Sequence, residues 1–157
     1  MKDKWFTGSG YEIEFNEILL LIKDHIDDNG KIFIGTDSFL SKGNCIFAKA
    51  ICLHKGENQL GGKYFIQRTQ YKSLPFKTLV VRMLAEVERT VTLALSISEV
   101  YVNAPIEIHI DVSSSNPKAK TSAFSEMITG YAKSSGFSYK VKPHSWASSS
   151  VADKHSK

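Results

Sequence analysis

Apolar residues crowd one side of the segment from about Glu12 to His25, where Ile13, Ile18, Leu19, Leu20, Leu21 and Ile22 predict a helix. Asp27-Asp28-Asn29-Gly30 supplies the turn that ends it. The pattern then changes. Lys31-Ile32-Phe33-Ile34-Gly35-Thr36-Asp37 is a short apolar run of the kind a buried strand carries. After the turn residues Ser41-Lys42-Gly43-Asn44, the stretch from Cys45 to His54 predicts a second strand. A loop follows through Lys55-Gly56-Glu57-Asn58 and Gly61-Gly62. Lys63 to Gln70 then alternates, with Tyr64, Ile66 and Arg68 on one side, and predicts a third strand. Short turn-like links between the three predict an antiparallel meander.

Pro75 marks a boundary. From Lys77 to about Ile97 there is neither Gly nor Pro, and Val80, Leu84, Val87, Val91 and Ala94 keep helical spacing. Asn103-Ala104-Pro105 ends that connection, and Ile106 to Asp111 alternates strictly as a fourth strand. Ser113 to Pro117 reads as a loop and helix cap, with Pro117 suited to a first turn. Thr121 to Lys133 predicts a third helix, and Phe137 to Val141 a fifth strand. Pro143 opens the last stretch, where Ser148-Ser149-Ser150 is positioned to cap a short terminal helix. The order is α, β-β-β, α-β-α-β and a helical tail. It predicts one α/β domain over residues 1–157, a mixed five-stranded sheet (three antiparallel strands, then two parallel) flanked by helices, with an extra helix at the N-terminus.

The chain has 157 residues, with 42% hydrophobic and 23% charged, an ordinary globular mix that excludes disorder throughout. The longest apolar run, Ile18 to Ile22, is far shorter than the roughly 20 residues of a membrane span. Met1 to Trp5 has no apolar core of a secretory signal, so a cytoplasmic address and no membrane association are expected. Lys and Arg number 20 against 16 Asp and Glu, which permits a polyanionic partner without demanding one. Cys45 and Cys52 are an odd number of residues apart. On one strand they face opposite sides, so they are expected as reduced, buried hydrophobes in a reducing compartment.

The chemistry lies in the carboxylates. Asp37 follows the first predicted strand and Asp111 the fourth. If those strands are parallel neighbours, both acids emerge at one carboxyl edge of the sheet, where ligand sites of open α/β sheets gather. Adjacent carboxylates repel unless a cation intervenes, and hard oxygen donors suit Mg²⁺ or Mn²⁺. The long helix offers Glu86 and Glu88, and helical geometry does not choose between them. Asp153 lies in the terminal helix, and docking of that helix through Trp146, Ala147, Val151 and Ala152 would bring it to the sheet. His109 shares the face of Asp111 and reads as a packed core histidine.

In the order of these elements the chain resembles the ribonuclease H-like family, of the branch typified by bacterial YkuK proteins. The likeness rests on Ile34-Gly35-Thr36-Asp37-Ser38, on Ile108-His109-Ile110-Asp111 and, most specifically, on the terminal segment from Pro143 through Trp146, Asp153 and His155 to Lys157. It implies a nuclease-type site of acidic residues, carried onto Asp37, Glu86 (with Glu88 as the alternate), Asp111 and Asp153. The same resemblance implies two Mg²⁺ or Mn²⁺ ions, Asp37 bridging them, Glu86 and Asp111 on one and Asp153 on the other. Such ions activate water and stabilise the leaving oxygen in phosphodiester hydrolysis. Only four residues follow Asp153, so the terminal helix is expected to be short.

Around such a site, His144 or His155 is positioned as a proton shuttle. Ser38, Lys42, Lys118 and Lys120, with Arg68, Lys72, Lys140 and Lys142, are candidates for contact with RNA or DNA phosphates. Tyr71 and Phe76 are candidates for stacking on bases. The competing reading is a catalytically silent nucleic-acid-binding or protein-interaction module on the same fold. A binder of polyanions gains nothing from clustered acids, which favours the enzyme. A sugar or acetate kinase relative is a third reading, disfavoured by the lack of a second lobe. An open edge on the third strand would let two chains pair, so a monomer or a weak homodimer is expected.

Overall fold

The computed structural model describes residues 4–54, 62–113 and 124–156. Its strands are β1 (Trp5–Thr7), β2 (Glu12–Ile13), β3 (Lys31–Ser41), β4 (Asn44–His54), β5 (Lys63–Lys72), β6 (Ile106–His109) and β7 (Ser138–Lys140). Its longer helices are α1 (Phe15–Asp27), α2 (Leu79–Val100) and α3 (Ser125–Ser134). A C-terminal helix runs as a π-type turn over Ala147–Ala152 and continues as α over Asp153–Ser156. The strands form one sheet in the order β2-β1-β5-β4-β3-β6-β7. β3, β4 and β5 are the antiparallel meander, and β6 and β7 add to β3 in parallel.

The five expected strands are thus present in the expected order, but among the described residues the sheet has seven strands rather than five. The N-terminal segment supplies the other two. Glu12 and Ile13, expected within the first helix, pair instead with Phe6 and Trp5, and α1 begins after an extended Glu14. β1 also covers Phe65 to Gln67 on the outer side of β5, so the edge expected to be open is occupied over that stretch. Lys55 to Gly61, the loop from Ser114 to Pro117, Lys118, Lys120 and the expected start of α3 at Thr121 lie outside the described residues.

Strand alternation divides the core into two layers. Ile32 and Ile34 of β3, Ile51 and Leu53 of β4 and Ile108 of β6 face α1, α2 and α3, which contribute Ile18, Ile22, Val87, Val91, Ile97 and Ile128. Phe33, Ala48, Ala50, Cys52 and Ile66 face the other way, onto Trp146, Ala147, Val151 and Ala152 of the C-terminal helix. Cys45 and Cys52 fall on opposite sides of β4, both free and buried, as their spacing requires.

The second layer is thin because small residues line it. Gly35 meets the C-terminal backbone directly: a Cβ there would lie 2.5 Å from Ser148 N and 2.7 Å from the Ala147 carbonyl carbon. The serines expected to cap the helix lie inside it instead. The Ser148 and Ser149 hydroxyls both donate to the Ser145 carbonyl, satisfying a backbone group of the opening turn. Gly35→Ala should therefore push the C-terminal helix off the sheet. A loss of about 1–3 kcal/mol, the usual cost of overpacking, is expected in thermal or urea unfolding. Unchanged stability in Gly35→Ala would refute the close approach.

Candidate functional site

Three contacts bring the acidic residues together. The first is set by β3. Its ladder to β6 ends at Gly35 opposite His109, whereas β3 itself continues to Ser41 with β4 alone. Asp37 is therefore not at a strand end, as expected from the sequence, but midway along β3 where the parallel neighbour has stopped. Asp111, two residues past His109, is its counterpart in the same register. The hairpin β3–β4 projects onward to Lys42 and Gly43, both at positive φ (47° and 82°), the two-residue turn that matches strand twist.

The second contact joins β3 to α2. Thr36 and Thr90 share a buried hydroxyl–hydroxyl bond of 2.7 Å. One helical turn earlier on α2, Glu86 accepts a hydrogen bond at Oε2 from Ser38 Oγ. Glu88, two residues on, is exposed. The threonine pair fixes the rotation of α2 and so turns Glu86 toward the sheet.

The third contact docks the C-terminal helix. His109 is buried, and its Nδ1 accepts the Ala147 N–H at 3.0 Å. Its Nε2 lies 2.7 Å from Glu107 Oε2 and donates to it, and Glu107 also accepts from Lys31 at 3.2 Å. Burial is the largest influence on both groups. It holds His109 below its usual pKa, hence neutral, and it would raise Glu107, but the bonds from His109 and Lys31 outweigh it and keep Glu107 low. So anchored, the helix places Ser156 Oγ 3.0 Å from Asp37 Oδ2 and brings the Asp153 carboxyl into hydrogen-bond contact with that of Asp37.

Like charges in a dry place shape the electrostatics. Asp37 is pushed up to about 7, first by burial, then by the Asp153 carboxyl and the charge of Asp111, with the Ser156 hydroxyl opposing. Glu86 stands well above the usual carboxylate range, again first by burial and then by the charge of Asp37, with Ser38 opposing. Lys142 Nζ lies 2.9 Å from Asp111 Oδ1, but not along a hydrogen-bond direction, so that buried oxygen has no aligned donor among the described residues.

The remaining residues singled out from the sequence are distributed differently. His155 turns to β5, with Nε2 3.2 Å from the Tyr64 hydroxyl. His144 lines a cleft with Lys31, at the far end of β3. Neither histidine is brought among the acids in the manner expected of a shuttle. Tyr71 and Phe76 pack against Phe47 and Arg89, whose guanidinium is 4.0 Å from the Phe47 ring centre and 5.2 Å from that of Tyr71. Lys142, read as a phosphate contact, lies on Asp111. Ser156 was not anticipated, although it is one turn from Asp153 and so on the same helical face. The Lys142–Asp111 pair was also legible. β6 and β7 align His109 with Lys140, and two residues further on that register sets Asp111 beside Lys142.

The family described as ribonuclease H-like matches residues 14–157. No curated protein and no solved structure matches the chain. The fold family implies divalent ions, and the donor chemistry here fits them: hard carboxylate oxygens, mutual repulsion for a cation to relieve, and an orphaned buried oxygen on Asp111. Among the described residues, however, no three groups stand in ligand geometry round one point. Protein groups stand against them instead: the Ser156 hydroxyl donates to Asp37, the Ser38 hydroxyl to Glu86, and the Lys142 ammonium lies beside Asp111 without an aligned bond.

A carboxyl whose folded pKa exceeds its unfolded value takes up a proton on folding, so its contribution is fully present below the usual carboxylate range and is lost as pH rises through the folded pKa. For Asp37 that window runs from about 4 to about 7. His109 and His155, held low by burial, act in the opposite sense, so the difference between parent and variant is the measure. Without divalent ions, Asp37→Asn should be more stable than the parent at pH 8, by on the order of 1–3 kcal/mol, with the gap clearly narrower at pH 5. Thermal melts at the two pH values test this. A variant less stable than the parent at pH 8 would contradict it.

Proposed function

We propose, because the chain belongs to the ribonuclease H-like family, that it is a divalent-metal-dependent nuclease hydrolysing phosphodiester bonds of RNA or DNA, of the YkuK branch. One observation carries this reading: the mutual influence of Asp37, Glu86, Asp111 and Asp153, drawn from four separate stretches of chain to one edge of the sheet. Two Mg²⁺ or Mn²⁺ ions held by these residues would supply activated water and neutralise charge developing on the phosphate. Ser156 and Ser38 orient Asp37 and Glu86 by donating to one oxygen of each. Lys42, at the exposed tip of the β3–β4 hairpin, projects about 16 Å beyond Asp37 and is in range of a strand crossing the site. The same reading takes Lys118 and Lys120 as further phosphate contacts and a cytoplasmic address, which the two free buried cysteines support.

A second reading has its own observation. Lys142 stands 2.9 Å from Asp111 Oδ1, where a cation is needed, and this suits a silent binding module whose acids are neutralised from within. Cleavage of labelled RNA, DNA and hybrid in Mg²⁺ and in Mn²⁺ separates the two. The parent should cut at least one substrate, and Asp37→Asn and Asp111→Asn should each lose on the order of 10²-fold or more, the several kcal/mol that metal-assisted charge stabilisation is worth. No cleavage by the parent, or cleavage that survives both substitutions, overturns the nuclease reading.

A further inference from the structure

The cleft that holds His144 is a separate feature. It encloses about 830 Å³ between the start of β3, the end of β7 and the segment leading into the C-terminal helix. Lys31, Lys140, His54, His144, Glu107 and Trp146 line it, with Phe33 beneath. Lys31 and Asp37 are six residues apart on one strand, so the Lys31 end of the cleft lies about 20 Å from the acidic edge, while Lys140, in register with His109, stands at the nearer end. The cleft shares no lining residue with that edge.

Three chemistries meet there. Trp146 offers a partly exposed indole whose orientation is set from behind by Phe33 (ring centres 4.8 Å apart) and His109 (5.2 Å). A supported, half-open indole is a stacking surface for a flat ring. Lys31 and Lys140 bring ammonium groups to the same walls; Lys140 is exposed, and the Lys31 side chain is 45% exposed despite its bond to Glu107. These suit a phosphate. Glu107 lines the cleft and accepts one bond from His109 and one from Lys31, which leaves it acceptor capacity for an N–H donor such as an exocyclic amine. An aromatic ring, an amine and a phosphate in one molecule describe a nucleoside phosphate, and the volume is within the usual range for such ligands.

We infer that this cleft is a second binding site, for a nucleoside phosphate whose base stacks on Trp146 and whose phosphate lies on Lys31 and Lys140. The ligand is either a free mononucleotide or one residue of a bound strand. The assignment does not depend on the acids being hydrolytic.

The test uses the fluorescence of Trp146. The chain has two tryptophans, so Trp5→Phe leaves Trp146 as the sole reporter. Titrations run in chelator, which strips any divalent ion from the acidic edge and stops cleavage. One arm adds adenosine, guanosine and cytidine monophosphates; the other adds a ten-residue oligonucleotide; inorganic phosphate serves as competitor. Saturable quenching is expected in at least one arm. In the mononucleotide arm it identifies a free nucleotide as the ligand; confined to the oligonucleotide arm, it identifies a strand. Lys140→Glu, on an exposed position, should weaken that binding about tenfold or more with an unchanged circular dichroism spectrum. No quenching in either arm, or quenching that Lys140→Glu does not affect, overturns the inference.

Discussion

The structure depends on how closely the C-terminal backbone lies against the sheet. Gly35 leaves no room for a side chain beneath Ala147 and Ser148, and Ala48 and Ala50 keep the neighbouring surface low. The His109 ring then accepts the Ala147 N–H, and Glu107 fixes the tautomer that makes this possible. Without that seat, Asp153 and Ser156 would belong to a frayed tail. With it, residues more than a hundred positions apart share a hydrogen-bonded cluster with Asp37. Packing on one face of β3 thus decides the chemistry on its edge.

That chemistry is costly in the absence of cations. Burial and like charge both raise Asp37 and Glu86, so the cluster holds protons at pH values where ordinary carboxylates have lost theirs. A protein selected only for stability would replace such acids with amides or apolar residues. Retaining them among hydroxyl donors fits the proposed role of holding a positive ligand.

Much of the framework was legible because its signals are local and repeated. Apolar runs mark β3 and β4, alternation marks β5 and β6, Gly and Pro punctuate the links, and the parallel placement of β6 beside β3 brings Asp37 and Asp111 to one edge. What escaped has physical reasons. β1 and β2 are three and two residues long, too short for any period to register, and they exist only because β5 offers an edge. The choice between Glu86 and Glu88 turns on the Thr36–Thr90 bond, a tertiary contact invisible in spacing. The serines before Asp153 carry the composition of a cap, yet a wider helical turn absorbs them. His144 and His155 were read by residue type alone, and type does not say which way a ring points.

Lys142 has a consequence of its own. Its ammonium is a counter-ion tethered to the chain, reached through the alignment of β7 with β6 and held beside Asp111. The acidic cluster can therefore assemble during folding without waiting for minerals from solution. On the proposed reading, an arriving ion would have to displace that ammonium from Asp111. Such competition would set a threshold concentration for loading and would tie readiness of the centre to the ionic composition around it.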